Sequence, residues 1–389
     1  MTLFFTRGMA KAAELTRSGN LHEATALIQS LLHRPGPDTN LPAEEPAPAG
    51  SVIDGDFTRL EPEATLQTAK PDWKKPRSST TPLTETLRKI AAGGMPVWGP
   101  LSGQADPVPE GAQFLSLTYS AAQGSRSYRL YIPANRTVAP MPLIVMLHGC
   151  TQTPEDFAAG TGMNALAEEF GCLIAYPAQP SGANAQKCWN WYRPEDQARD
   201  RGEPALIAGL TRAIWCNHYA DPARTYIAGL SAGGAAAVVM ASAYPDIFSA
   251  VGVHSGLPAG GAHDIPSAFA AMRSGLKGKP HQSVVPTIVF HGLADSTVHP
   301  DNGTAVMSQA LHAMPGLRAT TRQGVADGGH RYRTTAHHHA DGRSLAEHWQ
   351  IEGAGHAWAG GHSAGSYTDP KGPDASRQMV RFFLQHRHA

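Results

Sequence analysis

The amino-acid sequence predicts an α/β chain built on a mostly parallel central sheet flanked by helices. Three observations carry that expectation. Strand-like and helix-like stretches alternate from residue 110 onward, the order that crossover helices between parallel strands produce. Leu143-Ile144-Val145-Met146-Leu147 is an uninterrupted apolar run, which suits a strand covered on both faces. Two strand-like runs come first with no helical pattern between them, so the sheet should open with an antiparallel pair.

In order, strands are expected at 114–119, 128–132, 143–147, 173–176, 225–228, 250–254, 287–290 and 348–351. Apolar residues at helical spacing place helices at 163–170, 203–215, 232–244, 308–314 and 379–386. Ahead of this domain, assigned to 110–389, residues 1–34 read as a small helical hairpin. Ala10, Ala13 and Leu15, then Leu21, Ala24, Ile28 and Leu31, recur at helical spacing, and Gly19-Asn20 supplies the turn. The hairpin resembles half of a tetratricopeptide-type unit without a second copy, so it is an appendage or a docking element and not a repeat array. Residues 35–109 read as a linker, broken by Pro42, Pro46, Pro48, Pro62 and Pro71, with a short helix at 83–92.

Composition excludes several function classes. Lys+Arg and Asp+Glu balance at 32 each over 389 residues, which gives no electrostatic reason to expect nucleic acid or an anionic membrane as partner. No apolar run approaches the ~20 residues of a membrane-spanning helix. The start, Met1-Thr2-Leu3-Phe4-Phe5-Thr6-Arg7, lacks a continuous apolar stretch and a small-residue cleavage site, so the expected location is cytoplasmic. The 4 cysteines, Cys150, Cys172, Cys188 and Cys216, are too sparse for a disulfide scaffold and form no CxxC pair. No metal site is expected, and His337-His338-His339 reads as a solvated loop.

Chemistry concentrates in one motif. Gly229-Leu230-Ser231-Ala232-Gly233-Gly234 lies between the strand run 225–228 and an Ala-rich helical stretch. A serine flanked by glycines two residues away, on a strand–turn–helix, is the pattern of a nucleophile elbow. A helix-capping serine on a Gly-rich turn is the competing reading. A serine hydroxyl needs a base, and the base needs an orienting carboxylate. Asp295 lies just past the carboxyl end of the 287–290 strand, where open α/β sheets place their sites, although an aspartate there could also cap a turn. His356 follows the last expected strand on the Gly-rich loop Gly353-Ala354-Gly355. His148, His254 and His291 follow strands too, and chain order selects among them. Ser231, Asp295, His356 is the nucleophile–acid–base order of α/β-hydrolases. Backbone N–H groups of Ala232 and Cys150 are the expected oxyanion donors. Trp189, Asn190 and Trp358 are candidate substrate-binding residues, with core or loop-anchoring aromatics as the other reading.

The runs His148-Gly149-Cys150-Thr151-Gln152, Cys188-Trp189-Asn190-Trp191, Gly229 to Gly234, His254-Ser255-Gly256-Leu257, Gly353 to Trp358 and Gly365-Ser366-Tyr367-Thr368-Asp369-Pro370 together resemble the polyhydroxybutyrate depolymerase family of esterases. The resemblance spans roughly 110–386 and implies an α/β-hydrolase fold of the type-1 arrangement, with the oxyanion loop before the serine. It implies Ser231, Asp295 and His356 as nucleophile, acid and base, Cys150 at the oxyanion hole, and no cofactor. It implies a carboxylic ester hydrolase acting on poly(3-hydroxybutyrate) or short hydroxyalkanoate oligomers, with a polyhydroxyalkanoate granule surface as a candidate partner. Feruloyl and acetylxylan esterases share the catalytic domain and supply the alternative substrate. A granule-binding scaffold that has kept the fold is the non-enzyme alternative. Secreted members carry a further substrate-binding domain after the catalytic one, and this chain stops at Ala389, in keeping with an intracellular enzyme; an extracellular location is the alternative. Cysteines near these motifs can be bridged in secreted relatives, and spacing leaves a Cys150–Cys188 bond open.

Overall fold

A computed structural model describes residues 108–136, 138–275 and 284–388. The hairpin expected at 1–34, the linker at 35–109 and its helix at 83–92 lie outside the described residues.

The chain opens on an antiparallel pair, β1 (Gln113–Ala121) and β2 (Gly124–Ile132). It continues through β3 (Met141–Leu147), α1 (Pro154–Thr161), α2 (Met163–Phe170), β4 (Leu173–Pro177) and α3 (Gly202–His218). Next come β5 (Ala220–Leu230), α4 (Ala232–Ala243), β6 (Ala250–His254), α5 (Ile265–Ser274), β7 (Thr287–Gly292) and α6 (Asp301–His312). The last part holds β8 (Arg318–Val325), β9 (Arg331–His338), β10 (Ser344–Ile351), the short parallel pair β11 (Trp358–Ala359) and β12 (Thr368–Asp369), and α7 (Ala375–Phe383). One sheet has the order β1-β2-β4-β3-β5-β6-β7-β10-β9-β8. Strands β4, β3, β5, β6, β7 and β10 run parallel, and β1-β2 and β9-β8 flank them antiparallel.

The apolar run in β3 behaves as its composition requires. Leu143, Val145 and Leu147 enter one core with α3 and α4, while Ile144 and Met146 enter the other with α1, α2 and α7. All are fully buried, so alternation disappears because both pleat faces are apolar environments. Among the described residues no helix is long and apolar enough to cross a membrane.

Besides the short β11 and β12, four elements were not expected. Strands β8 and β9 are polar, β8 largely exposed and β9 mostly half-buried, so pairing, of β9 to β10 and of β8 to β9, and not burial in a core makes them strands. His337 and His338 therefore stand on a strand and not in a loop, with Thr320 Oγ1 2.9 Å from His338 Nε2. Helix α1 buries one large apolar side chain, Phe157, and α5 buries only Ala268 and Ala271, so neither shows an apolar period, but each carries a start signal. Thr153 caps α1 through its side chain with Pro154 following, and Asp264 caps α5 in a capping box with Ser267, with Pro266 in the first turn.

Candidate active site

Because six strands are parallel, the loops after β3, β5, β6, β7 and β10 leave the sheet along one edge. Ser231 stands at the turn between β5 and α4 with φ 58° and ψ −120°, a strained backbone for a residue with a Cβ. The flanking glycines permit it. A Cβ on Gly229 would lie 2.4 Å from the Gly233 carbonyl, and one on Gly233 would lie 2.1 Å from Leu147 O. Ser231 N–H donates to His254 O at 2.9 Å, tying the turn to β6. Its side chain makes no cap bond to α4, which removes the helix-capping reading. Ser231 Oγ has no hydrogen-bond partner among the described residues, and the residue is half-buried.

The carboxylate and the imidazole meet directly. His356 Nδ1 lies 2.7 Å from Asp295 Oδ2. A carboxylate only accepts, so Nδ1 carries the proton and Nε2 presents its lone pair. Asp295 Oδ1 accepts from the N–H groups of Thr297 and Val298, both at 2.9 Å, which fixes the carboxylate plane. Burial opposes its charge, yet the bonds from His291, His356 and Val298 hold it well below the usual carboxylate range. The His291 side chain is fully buried, donates from Nε2 to Val298 O at 2.9 Å, and sits 3.5 Å from Asp295 Oδ2. Gly303 is needed beside it, because a Cβ there would come within 2.7 Å of His291 Nδ1.

His148 and His254 are buried structural rings. His148 Nε2 accepts from Gln179 N–H at 3.1 Å, and burial pushes its pKa down to about 4. His254 Nε2 accepts from Ala359 N–H at 2.9 Å, and burial with the neighbouring His291 and His356 pushes it down to about 3.

The loop after β3 is pinned on several sides. Cys150 and Cys188 form a disulfide, Thr151 N–H donates to Gln186 O at 2.7 Å, and Trp189 Nε1 donates to His148 O at 3.1 Å. Gln152, itself buried, accepts from Gly149 N–H at 2.8 Å and donates from Nε2 to Asp156 Oδ2 at 2.9 Å. Asp156 in turn accepts from Ser366 N–H at 2.9 Å. Among the described residues the N–H groups of Cys150 and Ala232 have no acceptor, the condition an oxyanion donor pair requires.

A base oriented by a buried carboxylate, an elbow serine and two unengaged N–H groups on one sheet edge are the components of acyl transfer. The family described as esterase PHB depolymerase matches residues 126–330. The chain belongs to that family. Poly(3-hydroxyalkanoate) depolymerase C of Paucimonas lemoignei is 34% identical over 239 residues, 58% of this chain and 56% of that protein. Feruloyl esterase B of Neurospora crassa is 30% identical over 190 residues, covering 44% and 64%. The chain thus spans little more than half the length of the first of these relatives. An acetyl xylan esterase from Aspergillus awamori shares the fold, with a TM-score of 0.52 at 22% identity over 67% of this chain and 94% of that one.

Within this family member, the expected substrate-binding residues change role. Trp189 and Trp358 are 0% and 1% exposed, and Asn190 is 2% exposed, so none of the three faces solvent to meet a substrate. Trp189 braces the oxyanion loop as described. Asn190 N–H and Nδ2 donate to Glu203 at 2.8 and 2.9 Å. Trp358 donates to Ser376 Oγ at 2.9 Å and stacks on His254 with ring centroids 5.1 Å apart. The rim residue that sequence reasoning missed is Tyr367. It is 39% exposed with φ 53°, its OH is 3.2 Å from Thr151 Oγ1, and its carbonyl accepts from Trp358 N–H at 2.7 Å. It bridges the loop after β3 and the start of β11, just past His356. Tyr367 stands in the run Gly365 to Pro370, but its exposure, its left-handed backbone and its contact with Thr151 are not displayed by the sequence. His291 and Gln152 were visible inside motifs, but their supporting roles depend on contacts.

Proposed function

We propose that this chain is a serine esterase that hydrolyses poly(3-hydroxybutyrate) or short hydroxyalkanoate oligomers through an acyl-enzyme on Ser231. The observation that carries the reading is the 2.7 Å His356–Asp295 bond on loops leaving the same sheet edge as the strained Ser231 turn. His356 Nε2 takes the Ser231 hydroxyl proton as Oγ bonds to the ester carbonyl carbon. The N–H groups of Cys150 and Ala232 hold the resulting oxyanion. The intermediate collapses, the alkoxide leaves and takes the proton from His356, and water repeats the sequence to free the acid. Asp295 stays ionised throughout and stabilises the imidazolium. Tyr367 forms the exposed rim against which the ester chain lies. No cofactor takes part.

Polyester is preferred over feruloyl or acetylxylan esters because the depolymerase relative matches over a longer stretch than the feruloyl esterase does. A granule surface is the proposed partner. The proposed location is an oxidising compartment, the extracellular alternative, because a Cys150–Cys188 bond persists there. Thiol labelling of the native protein checks this: recovery only from cell lysate, with all 4 cysteines free, overturns it.

The function is tested by acid release from amorphous poly(3-hydroxybutyrate) beside a feruloylated xylan, with Ser231→Ala as the blank. Serine-dependent 3-hydroxybutyrate release is expected. Ferulate release alone moves the substrate to phenolic esters, and release that survives Ser231→Ala sinks the mechanism.

A further inference from the structure

The sheet edge opposite the candidate active site holds a cavity of about 440 Å³, within the range of small-molecule sites. It lies among the first residues of β6, β7 and β10 and the segment that follows α7. Phe248, Met314 and Leu345 give it an apolar wall. Its polar lining is strongly one-sided. Arg343 and Arg387 contribute guanidinium groups, His339, His386 and His388 contribute imidazoles, and no Asp or Glu lines it.

Two of those imidazoles are incomplete. His386 is 3% exposed, and its Nε2 is buried without a partner, as is His388 Nε2. The other ring nitrogen of His386 bonds to the backbone of Ser344. In the tautomer that donates to the Ser344 carbonyl, Nε2 is a bare acceptor. Burial, with Arg343 and Arg381 nearby, pushes the ring's pKa down to about 4, so it stays neutral near pH 7. A buried acceptor of this kind asks for a hydroxyl or N–H donor.

The guanidinium groups ask for the opposite. Arg343 Nε is 2.7 Å from Asp341 Oδ2, while its two terminal nitrogens have no partner among the described residues. Arg387 makes no ion pair within 4.0 Å among the described residues, and the nearby carboxylate of Asp221 is taken by Arg224 at 2.7 Å. Two cationic forks, a neutral acceptor and an apolar wall together specify a ligand with a carboxylate, a hydroxyl and a short carbon body.

We propose that this cavity binds a small hydroxy-carboxylic acid, with its carboxylate on Arg343 and Arg387, its hydroxyl donating to His386 Nε2, and its carbon body against Phe248, Met314 and Leu345. The site itself stands on the cavity. Its link to the reaction, as a site for released acid, rests on the proposed esterase function. Polyester hydrolysis releases an aliphatic 3-hydroxy acid and feruloyl ester hydrolysis a phenolic acid, and both fit the description.

The test titrates the full chain with 3-hydroxybutyrate, ferulate and butyrate, following calorimetric heat and ligand-detected NMR. Hydrolysis of a soluble butyrate ester is measured on the same samples. Saturable binding of a hydroxy acid is expected, with butyrate weaker because it lacks the donor. Arg343→Gln and His386→Leu should each weaken binding about tenfold and leave ester turnover unchanged. Arg343→Gln alters an exposed side chain and serves if His386→Leu fails to fold. A preference for 3-hydroxybutyrate assigns the aliphatic acid, and a preference for ferulate the phenolic one. No binding at tens of millimolar, equal binding of butyrate, or affinity untouched by Arg343→Gln overturns the proposal. Binding without any esterase activity overturns the proposed function and leaves the site standing.

Discussion

His356 is oriented by one charged hydrogen bond, whereas Cys150 on the facing loop is fixed by a disulfide, a buried glutamine and a tryptophan. Both loops leave the same edge of the sheet. The difference follows from what each must do. The His356 side chain stays 12% exposed and its partner is a carboxylate that keeps its charge, as the proposed base requires. The proposed oxyanion donor has only to point in one direction, and every contact around Cys150 restricts movement. His148 and His254 belong to the second kind. They are the same residue type as the base, but each is buried with Nε2 accepting a backbone N–H.

The largest effect should come from breaking the charged arm. Asp295→Asn is expected to keep the fold and lower kcat about 10⁴-fold on a soluble ester. A loss below tenfold would assign the orienting role to another carboxylate. The buried imidazoles should show themselves in stability and not in turnover. Burial holds His148, His254, His348 and His386 down to about 4, 3, 4 and 4. In the unfolded chain an imidazole takes up its proton below about pH 6.5. Between these limits the unfolded chain binds more protons, so stability present at neutral pH is lost on acidification. Each ring contributes up to about 1.4 kcal/mol per pH unit. Urea midpoints at pH 7.5, 6 and 5 measure this, and a flat profile would mean the rings protonate in place.

On the pinned arm, Gln152→Leu removes the acceptor of Gly149 N–H and should lower kcat about 10²-fold with little change in KM. An unchanged kcat would show that the disulfide and Trp189 hold the loop alone. The smallest effects separate the buried tryptophan from the exposed tyrosine. Trp358→Phe loses the bond to Ser376 and should cost about 1 kcal/mol of stability, read from the denaturation midpoint, with KM unchanged. Tyr367→Ala should raise KM for an oligoester several-fold at constant stability. The reverse pattern would restore Trp358 as a substrate contact.

Much of this organisation is legible in the chain. Apolar runs locate the parallel strands β3 to β7, because burial on both faces leaves a continuous signature, whereas β10 carries Glu347, His348 and Gln350 among its apolar residues. Gly229 and Gly233 announce a turn that only glycine tolerates. The expectation for Asp295 and His356 came from chain order after a strand, and the structure brings the two into contact. Strands β8 and β9 were missed because pairing with a neighbour stabilises them, and a polar strand has no hydrophobic period to read.

By itself the sequence determined the α/β class, the glycine-flanked turn at Ser231 and the chain order of the residues proposed to react, since these rest on short-range pattern and on glycine's missing Cβ. Tertiary structure decided which histidines became buried supports and which one pairs with Asp295, and that Tyr367 and not Trp358 reached solvent. Those outcomes depend on burial and on partners that lie far apart in the chain, as with the 61 residues that separate Asp295 from His356, and no local pattern encodes them.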